Sequence, residues 1–389
     1  MTVLAYQGQA MRQMKIVLLC NEYPPWSYAG GLGITVQTLA RGLSQKGHNV
    51  TVVGLGETDA EHRDLNIRVF TLRRTDLRYL GNLISRVRLR RWLSAHVKAE
   101  GVDIIESPEW QGLLPFGLNG CPVVIRLHQS STTAVQAIGG KAGRGISLYE
   151  RRTLAANSNW IAVSNHIMDL TRAAFQVHPK RWTIIHNPVP PAPSPLPDPP
   201  SLPANYILHV GQVRRRKGVL VLAEAARDLM AERPDLHLVY AGAVFKENGR
   251  MISEEIREIL GPRVNPRVHF LGHLEREIAL ACMAGAKVFA FPSQLEALPL
   301  VVIEAMSCGT PVVFTRFPPG PEIIEDGVTG LLADPDSPKD FGEKIARILN
   351  DPQLSSRLGG AARRRVAEAF SVEKCVEATE RFYEKCLAQ

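Results

Sequence analysis

No run of the 389-residue chain approaches the roughly eighteen consecutive apolar residues of a membrane-spanning helix, and residues 1–13 lack the apolar centre of a secretory signal. A cytoplasmic protein is the expectation. The six cysteines (Cys20, Cys121, Cys282, Cys308, Cys375 and Cys386) stand singly. They show neither the CxxC spacing of a zinc site nor the density of a disulfide framework, so reduced, mostly structural thiols are expected and no metal site. A GxGxxG fingerprint behind the first strand is also missing: Gly30 comes nine residues after Asn21, and no acid stands where a ribose would be held. That counts against a dinucleotide-dependent oxidoreductase. What is present, 45% apolar and 22% charged residues, is a globular composition, and the length exceeds what one core commonly serves, so two domains are expected.

Positive charge is unevenly placed. From Met1 to Pro190 there are 22 Lys and Arg against 12 Asp and Glu, or +10; the remainder has 24 against 26, or −2. Eight bases (Arg73, Arg74, Arg78, Arg86, Arg88, Arg90, Arg91 and Lys98) fall between Arg73 and Lys98 with one acid, Asp76, and with Leu80, Leu83, Ile84, Val87, Trp92 and Leu93 between them. Two readings fit this pattern: a solvated helix face, or a helix resting on an anionic membrane or gripping an anionic acceptor. No nucleic-acid-binding motif accompanies it, so a nucleic acid is not an expected partner.

From Lys15 the chain reads as a buried strand (IVLLC), a glycine-rich loop at Gly30, Gly31 and Gly33, a helix over Ile34–Lys46 and a second strand (NVTVVGL). Further apolar segments follow at VDIIE, PVVIRLH, WIAVS and TIIHN. Nine prolines between Asn187 and Pro203 exclude helix and central strand and mark a linker. The alternation then restarts with YILHVG, a helix over Val219–Glu232, LHLVYAG, VHFLG, a helix near Leu274–Ala284, KVFAFPS, a helix over Pro299–Cys308, PVVFT and a helix over Pro338–Asn350; Ala361–Leu387 is helical in composition. The expected organisation is an extension (1–14), a doubly wound α/β domain (15–187), a linker (188–203), a second α/β domain (204–370) and a final helix (371–389). Ligands of such sheets bind beyond the carboxyl ends of the strands, so chemical residues are sought in loops that follow strands.

The strongest chemical signal is FPSQLEALPLVVIEAMSCGTP, Phe291 to Pro311. Glu304 sits in an otherwise apolar helix, where an unpaired buried carboxylate would cost several kcal/mol, so it needs a partner. Pro299 suits the first helical turn and leaves the amides of Leu298, Leu300 and Val301 free to face an anion. A phosphate there would stand roughly 7–8 Å along the axis from Glu304 by helix rise, a distance that suits the hydroxyls of an attached ribose. Glu296, in the preceding loop, can accept hydrogen bonds from sugar hydroxyls. The bland alternative pairs Glu304 with a neighbouring arginine and leaves Glu296 merely exposed. A second signal, HVGQVRRRKG from His209 to Gly218, sets Gly211 at a strand end and places Arg214, Arg215, Arg216 and Lys217 where phosphate charge can be neutralised. A solvated basic turn would explain that loop if it stood alone. His128, ending PVVIRLH, is a candidate hydrogen-bond partner for a ligand in the cleft; the glycine loop alone is a weak signal.

Together these segments resemble the retaining glycosyltransferases of family 4, with their GT-B fold of two doubly wound Rossmann-like domains facing across a cleft. The resemblance runs from Lys15 onward and rests on GGLG, His128, GQVRRRKG, the Glu296/Glu304 pair with seven residues between them, EAMSCGTPVV, PGPEIIEDGVTGLLADP and FSVEKCVEATERFY. It implies that Glu304 binds the donor ribose, that Glu296 contacts the donor sugar, and that Lys217 with a neighbouring arginine, Arg216 by adjacency, binds the diphosphate. It also implies that the glycine loop approaches the diphosphate, that His128 lies near the sugar, and that the last helix crosses back to the first domain. His128, Lys217 and Glu296 are then the catalytic group, with no cofactor and no metal beyond a nucleotide-sugar co-substrate. Departures from the pattern are Gln212, where arginine is common, and Ala297, where glycine is common. The implied activity is transfer of a hexose-type sugar, from UDP more readily than GDP, to an acceptor hydroxyl; a cell-envelope or exopolysaccharide acceptor at the inner membrane face is favoured only by the basic segment. A pyridoxal-phosphate phosphorylase of the same fold and a non-catalytic nucleotide-sugar binder are the competing readings.

Overall fold

The structure, a computed structural model, describes residues 12–388 apart from 28, 29, 79 and 138. The chain forms two compact units, one of Met1–Ile161, Ala174–Thr183 and Val376–Gln389, the other of Ala162–Ala173 and Ile184–Cys375. The proline-rich segment read as a linker therefore belongs with the second unit, as do residues 162–173, which the sequence division gave to the first.

The first sheet contains β1 (Lys15–Leu19), β2 (Asn49–Gly56), β3 (Ala60–Asp64), β4 (Ile67–Arg73), β5 (Ile104–Pro108), β6 (Val123–Leu127), β7 (Asn159–Ala162) and β8 (Arg181–Ile184), in the order β3-β4-β2-β1-β5-β6-β7-β8. β1, β2, β5 and β6 are buried along nearly their whole length, as their continuous apolar runs require in a parallel sheet covered on both faces. The pairs β4–β2, β2–β1, β1–β5 and β5–β6 are parallel, whereas β3 lies antiparallel on the β4 edge. Helices α1 (Gly31–Gln45), α2 (Gly81–Glu100), α3 (Ser131–Gln136), α4 (Arg144–Ala156) and α5 (Asn165–Phe175) connect these strands.

The second sheet uses β9 (Tyr206–Val210), β10 (His237–Ala241), β13 (Val268–Phe270), β14 (Val288–Phe291), β15 (Val312–Thr315) and β16 (Leu331–Ala333); a two-strand ribbon, β11 (Lys246–Glu247) and β12 (Arg250–Met251), stands apart. Its order is β13-β10-β9-β14-β15-β16, and every neighbouring pair is parallel. The chain therefore grows outward from β9 through β10 to β13, then resumes on the other side at β14. The reversal between β9 and β14 is the topological switch point, where the loops leaving the two strands diverge and open a crevice. Connecting this sheet are α6 (Val219–Glu232), α7 (Ile252–Val264), α8 (Arg276–Gly285), α9 (Leu300–Ser307), α10 (Gly320–Ile323) and α11 (Pro338–Asn350). The apolar faces of α6, α7 and α11 build its core, with Leu222, Ile256, Phe341 and Ile345 fully buried.

The helical tail is two helices, α12 (Pro352–Ala369) and α13 (Val372–Leu387), broken at Phe370–Ser371. Within the first unit, the part of α13 beyond Val376 is held by polar contacts: Tyr383 donates to Glu106 at 2.7 Å, Arg126 to Thr379 at 3.1 Å, and His48 Nε2 lies 2.7 Å from Glu380 Oε1. Glu106 is itself paired with the buried Arg126 through two hydrogen bonds of 2.7 and 3.0 Å.

Candidate active site

Both loops at the β9/β14 switch point carry the residues singled out from the sequence. After β9, Gly211 leads into a single 3₁₀ turn, Arg215–Lys217, which ends on Gly218 in the left-handed conformation and hands the chain to α6. Gly218 cannot be replaced cheaply, because a Cβ there would lie 1.9 Å from the carbonyl oxygen of Pro292 in the loop after β14. That close approach joins the two loops. Lys217 Nζ donates to Glu296 Oε1, and Ser293 Oγ donates to the same oxygen at 2.6 Å. Lys217 and Glu296 are mostly covered, at 14% and 11% side-chain exposure, so their charges face each other with little screening by water.

The three arginines separate by partner. Arg214 pairs with Glu247 of β11 at 3.0 Å, and Arg215 pairs with Glu255 of α7. Arg216 is exposed and donates only to the neutral Gln212, at 3.3 Å; among the described residues no acid neutralises it. Sequence alone favoured Arg216 only by its adjacency to Lys217, because the acids that hold Arg214 and Arg215 are about thirty to forty residues away.

Glu304 does have a protein partner, and it is the bland one: Arg276, in the first turn of α8, donates Nε to Glu304 Oε1 at 2.6 Å and Nη2 to the carbonyl of Pro190 at 3.0 Å. Burial raises the Glu304 carboxyl above its ordinary value, opposed by the Arg276 charge and hydrogen bond. Oε2 accepts no hydrogen bond among the described residues and is left for a donor from elsewhere. Arg276 was missed in the sequence: the need for a partner was legible, but nothing in LEREIAL identified it. Pro299 stands just outside α9 as its cap (φ −74°, ψ 108°) rather than inside its first turn. Leu300 and Val301 open the helix, so their N–H groups lack intrahelical acceptors.

In the first unit, His128 follows β6 with its imidazole half-buried; burial, reinforced by Arg126, pushes it down to about 3. It is therefore neutral at physiological pH and suited to hydrogen bonding, not to proton storage. The fully buried Glu109, directly after β5, accepts from the backbone N–H groups of His128 (2.8 and 2.9 Å) and Gln129 (2.6 Å), and burial pushes its carboxyl up to about 8. Gln129 holds φ +104°, a strained value for a side-chain-bearing residue. Glu109 was overlooked in SPEW; its signal was its place at a strand end.

The glycines differ from the expected loop. Gly30 caps α1, while Gly31 and Gly33 lie in its first turn. A Cβ at Gly33 would meet the Glu22 carbonyl oxygen at 1.9 Å, so this glycine lets the helix pack on the loop before it, whereas Gly31 faces open space. The basic segment is partly committed to structure. Arg86 is buried and donates to the carbonyls of Asn82, Gln111 and Gly112, Arg90 donates to Gly117, and Arg88 pairs with Asp59 at 2.7 Å. Leu89 and Leu93 face inward; Leu77, Leu80 and Ile84 are exposed. All six cysteines are free thiols. Among the described residues no helix is long and apolar enough to cross a membrane.

In open α/β sheets the switch point is where ligands bind, and free amides at a helix start suit an anionic one. Residues 29–192 match the family model described as Glycosyltransferase Family 4, and residues 199–365 that of Glycosyl transferases group 1. The alpha-maltose-1-phosphate synthase of Mycolicibacterium smegmatis is 29% identical over 96% of this chain and 100% of its own length; the glycogen synthase of Mycobacterium tuberculosis is 25% identical over 95% and 94%. Among solved structures, sucrose-phosphate synthase from Thermosynechococcus elongatus matches with a TM-score of 0.74 at 24% identity, covering 97% of this chain and 100% of that one. Anabaena HepE in complex with UDP and glucose matches with a TM-score of 0.73 at 19% identity, over 96% and 100%. The chain belongs to the family-4 group of glycosyltransferases with the GT-B fold. It is a glycosyltransferase.

Proposed function

We propose that the enzyme transfers a hexose-type sugar from a nucleotide-diphosphate sugar, UDP in preference to GDP, to an acceptor hydroxyl with retention of configuration. The observation that carries this reading is the meeting of Lys217 and Glu296 at the switch point, beside an Arg216 that no acid among the described residues neutralises. UDP is favoured because the neighbour HepE is described with UDP, with UDP and glucose, and with UDP-glucose.

In this reading the diphosphate lies against the α9 start and takes over Lys217 and Arg216 as counter-charges. Glu296, released from Lys217, accepts from the sugar hydroxyls, and the free Oε2 of Glu304 accepts from the ribose. The acceptor oxygen bonds to the anomeric carbon on the face the diphosphate leaves; the carbon–oxygen bond to phosphate breaks with its electron pair, and the acceptor proton passes to the departing phosphate. Lys217 and Arg216 stabilise the charge that grows there. This displacement needs no enzyme nucleophile, and no metal is required. His128, held neutral, is suited to hydrogen-bond a ligand at the end of β6. The acceptor is read as a cell-envelope or exopolysaccharide glycan, with any membrane contact confined to the exposed Leu77, Leu80 and Ile84 and the uncommitted bases near them.

A thermal-shift panel of UDP, GDP, ADP and their sugar conjugates tests this on the wild type and Glu304→Ala. A ligand at one hundred times its dissociation constant stabilises the fold by about 2.7 kcal/mol. Uridine conjugates should raise the wild-type melting point and lose most of that effect in the variant. Indifference to all nucleotides, or to the substitution, would overturn the assignment.

A further inference from the structure

Consecutive cations, Arg214 to Lys217, leave β9 in one loop, and a diphosphate cannot engage them all. The surplus charge is met by a segment that the sequence pattern did not single out. Beyond β10 the chain runs alongside this loop, with backbone bonds from the Val213 N–H to the Ala243 carbonyl (2.9 Å) and from the Phe245 N–H to the Val213 carbonyl (3.1 Å). It then forms the β11–β12 ribbon, whose turn is Asn248–Gly249 with φ of +51° and +82°. Positive φ at both central residues is the turn that matches strand twist, and Asn-Gly is the pair that adopts it most readily. Glu247, the last residue before the turn, is therefore held in place by backbone pairing on both sides.

Both carboxylate oxygens of Glu247 face the phosphate loop. Oε1 accepts from Arg214 Nε at 3.0 Å, and Oε2 accepts from the backbone N–H of Arg215 at 3.2 Å. The Arg214 guanidinium also lies over the Phe245 ring, 4.8 Å from its centroid. Arg215 is taken by Glu255, in the first turn of α7. The acids are the covered members of these pairs, at 20% and 14% side-chain exposure against 31% and 42% for Arg214 and Arg215. Arg214 directly precedes the 3₁₀ turn and stands roughly 6 Å along its axis from Lys217 by the rise of such a turn, inside the ~10 Å over which charges still interact at 0.1 M salt.

We propose that Glu247 is a specificity-determining residue of the donor site: it withholds Arg214 from the phosphates while Glu255 withholds Arg215, leaving Arg216 and Lys217 as one cation for each phosphate. This rests on the reading of the switch-point loop as the diphosphate site. An anion of higher charge finds no further cation there and meets two fixed carboxylates, and the diphosphate is held loosely enough to leave after transfer.

Calorimetric titration with UDP and UTP in chelating buffer, at about 0.05 and 0.5 M salt, tests the proposal. Glu247→Gln keeps an oxygen for Arg214 and removes the charge. UDP should then bind about three- to tenfold more tightly, UTP should gain more than UDP, and both gains should shrink at the higher salt. Arg214→Gln should shift both affinities the opposite way, and the double variant should return the ratio of the two to its wild-type value. A pair that only braces the fold gives a different pattern, with weaker binding and a lower melting point in either single variant. Binding that weakens or stays level in Glu247→Gln, or an unmoved UTP-to-UDP ratio, would overturn this proposal and leave the donor site standing. GDP and ADP titrated on the same samples separate it from the choice of base, to which the charge argument is indifferent. A wild type that binds none of these nucleotides would overturn both readings.

Discussion

Arg276→Ala isolates what the Glu304 pair does. In the wild type the carboxylate and guanidinium are 2.6 Å apart with 13% and 26% of their side chains exposed. Removing one member of a fully buried pair costs about 3–5 kcal/mol; with a quarter of Arg276 in water, about 1–3 kcal/mol is expected here. The loss depends on pH in a definite direction. Burial already raises the Glu304 carboxyl, and Arg276 opposes that rise. Without the arginine the folded-state value moves further above the unfolded one. The protonated carboxyl is tolerated at low pH, and stability is lost as pH rises through the folded-state value. The deficit of the variant against the wild type should therefore widen from pH 5 to pH 8, as measured by urea denaturation, and at pH 8 should lower the melting point by about 2–4 °C per kcal/mol. Adding Glu304→Gln should recover much of the loss by removing the stranded charge. UDP, donating ribose hydroxyls to the orphaned carboxylate, should stabilise the single variant at least as strongly as the wild type. An equal deficit at both pH values, with no recovery in the double variant, would refute the argument that burial of this carboxylate is what the arginine offsets.

Lys217→Ala should lower kcat by about 10²–10³ in a coupled assay of nucleoside diphosphate release, because the growing charge on the leaving phosphate loses its buried cation. Gly218→Ala forces a Cβ to 1.9 Å from the Pro292 carbonyl at φ +69°, so thermal unfolding should show a loss of roughly 2–4 kcal/mol together with weakened nucleotide binding, since the two switch-point loops move apart. Arg126→Ala strands Glu106 in the first core and should cost about 3–5 kcal/mol in denaturant titration, whereas Tyr383→Phe removes one hydrogen bond to the same carboxylate and should cost about 1–3 kcal/mol. With its imidazole held near 3, His128 is neutral throughout pH 5–8, so the pH–rate profiles of wild type and His128→Asn should share one shape and differ in height alone.

What sequence pattern revealed and what it hid divide along a physical line. Strands covered on both faces wrote themselves as apolar runs, and the helices Val219–Glu232 and Pro338–Asn350 matched to the residue, because their boundaries are set by local signals: a left-handed glycine, a serine cap and a proline at the first turn. β4 escaped notice since IRVFTLR alternates with charge, and β3, an edge strand reading AEHRD, carries no apolar run at all. The glycines of GGLG looked like a loop because glycine's freedom is legible while its use as a packing surface, as at Gly33, depends on a carbonyl eleven residues away in the chain.

The candidate site followed the same rule. Glu304 stood out because a buried charge in an apolar segment is costly wherever it occurs, and Lys217 and Glu296 because a basic loop and a carboxylate before a helix start suit phosphates and sugar hydroxyls. The pairings did not stand out: Lys217 and Glu296 are 79 residues apart, and Arg276 reaches Glu304 across 28. A cost is a property of one residue and can be read from its neighbours in sequence; what offsets it is a property of the fold. The charged groups whose offset is incomplete among the described residues are therefore the informative remainder. In the second unit Arg216 and the second carboxylate oxygen of Glu304 are of this kind, one suited to a phosphate and the other to a ribose.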